Sequence, residues 1–456
     1  MKKIILISFF LLLNQCSFDN KTGIWKDAGK QKTSGFEKIK RVEESKKKIV
    51  KSYFITDKII LKDKNPDGSH IINLGTKIKN QDWLQEFYDY SNNINNIDYN
   101  NNKSSILKSK KLARFSITED INYNKFLEPI YYNDLIISYD HNGTIYVFSI
   151  KDKKKIWEFN FYKKKFKKYK KRLFIVLDNQ KIYVSDNLGY LYALDYKKQE
   201  IIWAKNFGIP FRSNVKIFEN KIFLANQDNI IYCVDTLTGD KFWEFATTST
   251  FLKSSFKNNI LLDNPKSNVL FFNTSGELYS INYISKNINY VLSFKDISFS
   301  SLPIVKRKNT ILVSTGKNIY SYNDETGAQN WAKSISLVSK PILTDNNIFL
   351  ITENNFLVCL NSSNGKIIWS KNVLHQIKNI KEEKKNKKIG SATSHIIADS
   401  QIHIFTSKGF ILSFDYKNGT LKDYKNISKK GFGSNPIFAQ GKMKFFNKNF
   451  QILVFD

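Results

Sequence analysis

Apolar residues in this chain fall in short runs of about four to seven, rich in β-branched and aromatic side chains and bounded by Gly, Asn or Asp. That pattern predicts β-strands, and no convincing helix interrupts them. The runs recur in a fixed order. The clearest unit is Gly189 to Trp203 (GYLYALDYKKQEIIW): a turn residue, an apolar run ending at an anchor, Asp195, and a Trp eight positions beyond it. The same arrangement returns at anchors Ser149, Asp235, Asn282, Asn323, Asn361 and Asp415. The downstream position holds Trp157, Trp203, Trp243, Trp331 and Trp369, with Tyr290 and Asp423 in the two remaining copies. An eighth run, QILVFD, ends at Asp456.

Anchors spaced 38 to 54 residues apart have the period of a four-stranded propeller blade. Eight of them predict an all-β fold, an eight-bladed β-propeller of four-stranded blades over residues 110–456, with the five Trp as structural repeat positions. Radial repetition leaves few sheet edges open. The last repeat stops at its third strand, so the outermost strand of blade 8 must come from elsewhere. Leu112 to Ile117 (LARFSI), just ahead of the first blade, is the predicted donor, and pairing it with the C-terminal run closes the ring. Ahead of it, residues 17–109 read as a polar tether and N-terminal extension. Residues 51–80 hold apolar alternations (SYFITDKIIL, HIINL) that predict a small hairpin or packing on the propeller, and Ser91 to Ser109 is an Asn-, Ser- and Lys-rich linker or loop.

Residues 1–16 (MKKIILISFFLLLNQC) place two lysines before an apolar run too short to span a bilayer, which predicts a signal peptide. The ending Leu13-Asn14-Gln15-Cys16 resembles a bacterial lipobox, with Gln15 where a small residue is usual. That resemblance implies lipidation of Cys16 and, with Ser17 following, delivery to the outer membrane. Acyl chains at about 0.8 kcal/mol per buried methylene would make such an anchor permanent.

Apolar content of 41% and aromatic content of 14% supply a large core. The net charge of +31 and the run Lys163 to Arg172 (KKKFKKYKKR) raise nucleic acid as a partner. Lysine, asparagine and isoleucine are abundant everywhere, however, and the leader points out of the cytoplasm. The run therefore reads first as a solvated loop between blades 1 and 2, and second as a contact for an anionic membrane surface. A second charged excursion, Ile377 to Lys388, accounts for the longest anchor spacing and reads as a solvated loop at the face of the disc, or as a partner contact.

Catalytic chemistry is hard to find in these residues. Cys233 and Cys359 share one register, two residues before their anchors, where Ala193, Ser280, Ser321, Ser413 and Val147 stand in the other copies. A position held by small residues predicts buried, unpaired thiols three blades apart, out of disulfide range. His70, His141, His375, His395 and His403 lack metal-ligand spacing, so no metal site is expected. No GxSxG or phosphate loop occurs, and Asp195 and Asp235, at strand ends, are expected to accept turn hydrogen bonds.

The stretches DNIIYCVDTLTGDKFW (Asp228 to Trp243) and CLNSSNGKIIW (Cys359 to Trp369) resemble the pyrroloquinoline-quinone-type propeller repeat. With the lipobox-like start, NQDWLQ at Asn80 to Gln85 and KTGIW at Lys21 to Trp25, the chain resembles the BamB family of outer-membrane assembly lipoproteins in its alphaproteobacterial form. The resemblance implies a non-catalytic, lipid-anchored periplasmic scaffold without a cofactor, monomeric within a complex. It would bind the BamA-like barrel insertase and aid insertion of outer-membrane proteins. Members contact the insertase through apolar residues followed by an Arg, which implies Phe211 and Arg212 in GIPFRS, although Phe211 as core and Arg212 as a surface charge is an equally physical account. The alternatives are a quinone-dependent dehydrogenase, whose family typically carries a vicinal Cys pair absent here, and a propeller adaptor for another envelope complex.

Overall fold

The predicted apolar runs become strands of two to seven residues, and those inside a sheet, such as Tyr190–Asp195 and Ile230–Asp235, are buried on consecutive residues because the sheet they join packs on both faces. The computed structural model describes residues 59–99, 129–249, 259–294, 302–449 and 451–455 except Ser69 and Lys167, together with the backbone of the strands Cys16–Asp19, Ile24–Asp27, Ile49–Lys51 and Ile106–Lys111. The chain divides into two compact units, Met1–Lys47 and Lys48–Asp456. In the first, Cys16–Asp19 pairs antiparallel with Ile24–Asp27, Phe18 opposite Trp25. The polar tether expected there thus contains a hairpin, built where Phe18, Ile24 and Trp25 interrupt the polar run with strand-forming residues.

The second unit is an eight-bladed propeller of four-stranded antiparallel sheets. In blade 2 the strands run from the axis outward as Leu173–Asp178, Lys181–Asp186, Tyr190–Asp195 and Glu200–Asn206. The recurring Trp sits on the outermost strand, and its register partner is the small residue two before the anchor: Trp203 faces Ala193, Trp243 faces Cys233, Trp331 faces Ser321 and Trp369 faces Cys359. A β-bulge follows immediately in every one of these pairs, turning the indole off its own sheet.

Each indole then reaches the next blade. Trp203 Nε1 donates to the carbonyl of Thr236 at 2.9 Å, Trp243 to Tyr283 at 3.2 Å and Trp331 to Ser362 at 2.8 Å. In each case the acceptor is the residue after the next blade's anchor. The anchor shapes that receiving turn: Asp195 Oδ1 accepts the backbone N–H of Lys197 and Lys198, and Asn361 Oδ1 those of Ser363 and Asn364. Four residues past the anchor, Gly239, Gly327, Gly365 and Gly419 hold φ near +70°. A Cβ on Gly239 would stand 2.5 Å from the Trp203 ring, so this glycine answers both to the backbone and to the indole lying on it.

Ring closure follows the expected logic with a shifted donor. The strand paired antiparallel with Gln451–Phe455 is Ile106–Lys111, Ile106 opposite Phe455 and Lys111 opposite Gln451. Leu112 to Ile117, the strand-like segment next to the first blade, lies outside the described residues. An outermost strand needs only backbone donors and acceptors to finish a blade, so the Lys- and Ser-containing ILKSKK serves. The propeller therefore begins by residue 106.

Four further features bear on the expectations, and one of them, the packing of residues 59–75, decides between the two readings given for that stretch. A helix does interrupt the blades: Glu382–Ile389 lies in the long 373–391 connection, with Ile377 and Ile389 fully buried in the core between blades 6 and 7. The charged excursion is thus fastened by an apolar face. Residues 59–75 pack on the propeller, Lys64 making a bridge to Ser370 on the outer strand of blade 6, with Ile72 and Leu74 in the core. Ile49–Lys51 adds a fifth, parallel strand outside Ile288–Ser293 of blade 4. The 91–99 linker is buried, as described below.

Deleting residues 106–111 should leave the third strand of blade 8 with a row of unpaired backbone groups, each costing about 1 to 3 kcal/mol where it cannot reach water. We expect a melting temperature lowered by many degrees and aggregation of the deletion variant. Deleting residues 17–45 should shift the melting temperature little. Similar behaviour of the two would show that this strand does not close the ring.

Candidate functional site

Titratable residues in the blades serve the fold. Cys233 and Cys359 are unpaired and fully buried, and burial pushes the Cys233 thiol up to about 12 and Cys359 higher still, so neither supplies a thiolate nucleophile. Burial likewise pushes His395 and His403 down to about 4. His403 Nδ1 shares a hydrogen bond with Ser413 Oγ and Nε2 meets the Ala398 carbonyl, and His395 is held in the same way between Ser339 and Phe349. His375 faces Glu382, and His70 meets Asn347. Among the described residues no cluster of three His, Cys, Asp or Glu could hold a metal.

The most elaborate constellation lies on the axis, where the inner strands of all eight blades converge. Residues 80–97 cross this mouth and touch each blade in turn. Asn80 donates its amide to the Phe438 carbonyl of blade 8 and accepts the Gln440 N–H. Trp83 exchanges both backbone hydrogen bonds with Tyr131 of blade 1, and Leu84 accepts from Leu177 of blade 2. Lys216 of blade 3 reaches up to the carbonyls of Glu86 and Asp89, at 3.1 and 2.6 Å. Tyr90 and Ser91 accept the N–H groups of Leu262 and Lys306 in blades 4 and 5, and the Asn92 amide spans the Ile260 and Ile304 carbonyls of the same two blades. Asn93 then pairs both ways with Leu343 of blade 6, Nδ2 to carbonyl at 2.8 Å and N–H to Oδ1 at 3.0 Å. Asn96 and Ile97 finish the circuit on blade 7, against Ser400, Ile397 and Asp399.

This strap succeeds because an Asn side chain offers the same donor and acceptor as a peptide group, and so can continue a strand's ladder where backbone geometry cannot. Asn92, Asn93, Asn95 and Asn96 are all buried, at 0 to 5% exposure. Left-handed backbone at Phe87 and Tyr88 turns the segment tightly enough for the mouth. Asp89 accepts from Ser91 and Asn93 within the turn; loss of solvent raises its pKa, against the pull of Lys216. Trp83, Ile94, Ile97 and Tyr99 enter the core shared by blades 7, 8 and 1. Residue counting by periodicity passed over this segment, since an Asn-rich run carries a turn signal. NQDWLQ, singled out earlier only as a resemblance, is where the strap begins.

The proposed contact pair divides. Phe211 is fully buried against Val215, Ile217 and Tyr232 in the core between blades 2 and 3, so its ring offers no surface. Arg212 is half-buried beside it, its N–H donating to the Ala225 carbonyl. The five Trp are structural, at 0 to 9% exposure. Cys16 begins the first strand of the N-terminal unit. The Lys163 to Arg172 run forms the connection from blade 1 to blade 2, on the face of the disc opposite the strap, where second strands end and inner strands start.

Propellers of this build are shared by proteins of different function. BamB from Moraxella catarrhalis is similar at a TM-score of 0.58 and 12% identity, covering 78% of this chain and 99% of that one. A europium-containing methanol dehydrogenase matches at TM-score 0.58 and 10% identity over 82% of this chain and 89% of its own. The quinohemoprotein alcohol dehydrogenase of Comamonas testosteroni does so at 0.58 and 10%, over 82% and 80%. At such identities these likenesses speak for the fold alone. No curated protein sequence matches the chain. The family model for outer membrane protein assembly factor BamB matches residues 141–371, from the first blade into the sixth. That match spans half the sequence and the repeat that builds the blades, and by it the chain belongs to the BamB family.

Proposed function

We propose that this protein is a non-catalytic scaffold of outer-membrane protein assembly, anchored through a lipidated Cys16 at the periplasmic face of the outer membrane, where it holds the barrel insertase. The strap carries the proposal. A dehydrogenase reading would put a quinone and a cation where the blades converge, and the residues at this mouth do not fit one: the strap occupies the place, its amides and carbonyls taking up the inner-strand carbonyls of Ile260, Ile304 and Leu343 and the ammonium of Lys216. An axis crossed by the chain's own segment, which leaves Trp83 Nε1, Gln85 Oε1 and Asn92 Oδ1 as its buried side-chain atoms without a partner, suits a protein that works through its outer surface. Family membership supports the assembly role.

Arg212 is the proposed insertase contact, acting as a surface charge on the rigid floor that buried Phe211 provides. Replacement by Glu should weaken capture of the insertase from detergent-solubilised membranes about tenfold, as for loss of a charged hydrogen-bonding partner, with an unchanged melting temperature. Equal capture by mutant and wild type would remove Arg212 from the interface, and absence of the insertase from both would overturn the assembly role.

The quinone alternative is tested on the strap. Asn93→Leu orphans the N–H and carbonyl of Leu343 and should cost about 2 to 4 kcal/mol. Pyrroloquinoline quinone with Ca²⁺ should neither restore the lost melting temperature nor raise that of the wild type. A quinone-dependent rise, or oxidation of an alcohol by the purified protein, would favour the enzyme.

A further inference from the structure

The loop from blade 1 to blade 2 is more constructed than a solvated charge run requires. Phe166 turns inward and packs on Tyr190, ring centroids 6.1 Å apart. Lys171 folds back into the protein, 3% exposed, its ammonium donating to the Phe166 carbonyl at 2.5 Å and lying 5.1 Å from the Tyr162 ring centroid. Backbone bonds from Lys171 to His141 and between Arg172 and Asn187 tie the loop to the neighbouring turns. The result pushes Tyr169 outward, 47% exposed, with the Lys168 ammonium 5.2 Å from its ring centroid and Lys163, Lys164 and Lys170 exposed around it.

The carboxylates closest to this loop are occupied inside. Asp140 accepts from Thr144 and Tyr146, and Asp186, fully buried, accepts from Tyr162, Leu188 and Tyr190. Among the described residues Lys163, Lys164 and Lys168 meet no carboxylate. On the same face, the turns of blades 7 and 8 expose Lys408, Lys429, Lys430 and Lys448, and no Asp or Glu occurs between residues 427 and 449. A rigid tip with a Tyr at its summit, set in lysines and continued by a basic arc, has the chemistry of a membrane-interface contact. Its ring is amphipathic, its lysine stems are apolar, and its charges favour anionic headgroups.

We propose that the face of the disc opposite the strap rests on an anionic phospholipid surface, with Tyr169 in the headgroup layer and the surrounding lysines on phosphates. The contact does not depend on the insertase reading. It can be measured on full-length, unacylated Cys16→Ala protein by co-sedimentation with phosphatidylcholine vesicles containing or lacking phosphatidylglycerol. Binding should require phosphatidylglycerol and weaken with salt. Joint replacement of Lys163, Lys164, Lys168 and Lys170 by Gln should reduce it at least about tenfold, given roughly 1 kcal/mol per charge reduced by screening. Tyr169→Ser should reduce chiefly the binding that survives high salt. Replacing Lys197, Lys198, Lys366 and Lys417, which are exposed on turns of the strap-side face, removes equal charge and should leave binding intact. Equal losses from the two quartets would reduce the effect to net charge and overturn the proposal. So would indifference to phosphatidylglycerol, or capture of polyglutamate in preference to vesicles.

Discussion

The contact between an indole and the turn of the following blade is what makes eight small sheets one body. A four-stranded sheet cannot bury both faces alone, and here each one is covered only if its neighbour stands at a fixed angle. The Trp sets that angle by meeting one or both of two constraints: the Nε1 of Trp203, Trp243 and Trp331 finds the carbonyl after the next anchor, and the rings of Trp203, Trp331 and Trp369 lie on a turn with no side chain. Gly239 under Trp203, Gly365 under Trp331 and Gly419 under Trp369 meet the second constraint. Where the aromatic is Tyr290, Gly327 still lies beneath it. The conserved geometry thus couples one repeat's strand register to the next repeat's turn.

Two joints lack this aromatic, that from blade 7 to blade 8 and that from blade 8 to blade 1, whose closing strand ILKSKK carries none. Blade 7 has Asp423 at the Trp position, exposed and opposite Ser413, so no indole reaches blade 8. Blade 8 is also the sheet assembled from both ends of the propeller. At these same joints the N-terminal strap contributes Trp83, Ile94, Ile97 and Tyr99 to the core of blades 7, 8 and 1. The extension therefore supplies apolar burial where the repeat supplies no aromatic, and its hydrogen bonds to every inner strand tie these joints to the others. Its entry along blades 4 and 6, where Ile49–Lys51 and Lys64 pair with outer strands, also covers two of the edges that a propeller leaves exposed.

Blade number, strand order, the buried Trp and the free thiols were legible in the sequence because each is repeated, and repetition turns weak local signals into a period. What occurs once was harder to see. The closing strand ILKSKK has no apolar face to betray it, and LARFSI drew attention as the strand-like segment next to the first blade. The strap was hidden by chemistry: Asn92 to Asn96 carry the composition of a loop, yet they are buried because their amides stand in for peptide groups. At Phe211 the resemblance implied a contact and the residue itself a core position, and packing has claimed it for the core. The function of the surface is not periodic, and only the combination of family membership with a self-filled axis favours a scaffold.

The account depends most on the strap being part of the folded ring. Hydrogen exchange measures this directly at the amides of Leu177, Leu262, Lys306 and Leu343, whose acceptors lie on the strap. Protection equal to that of Ile231, in the centre of blade 3, and loss of both in one cooperative step is the expected result. Exchange of these four amides at the rate of exposed turns, while Ile231 stays protected, would show the axis to be open and contradict the self-filled scaffold.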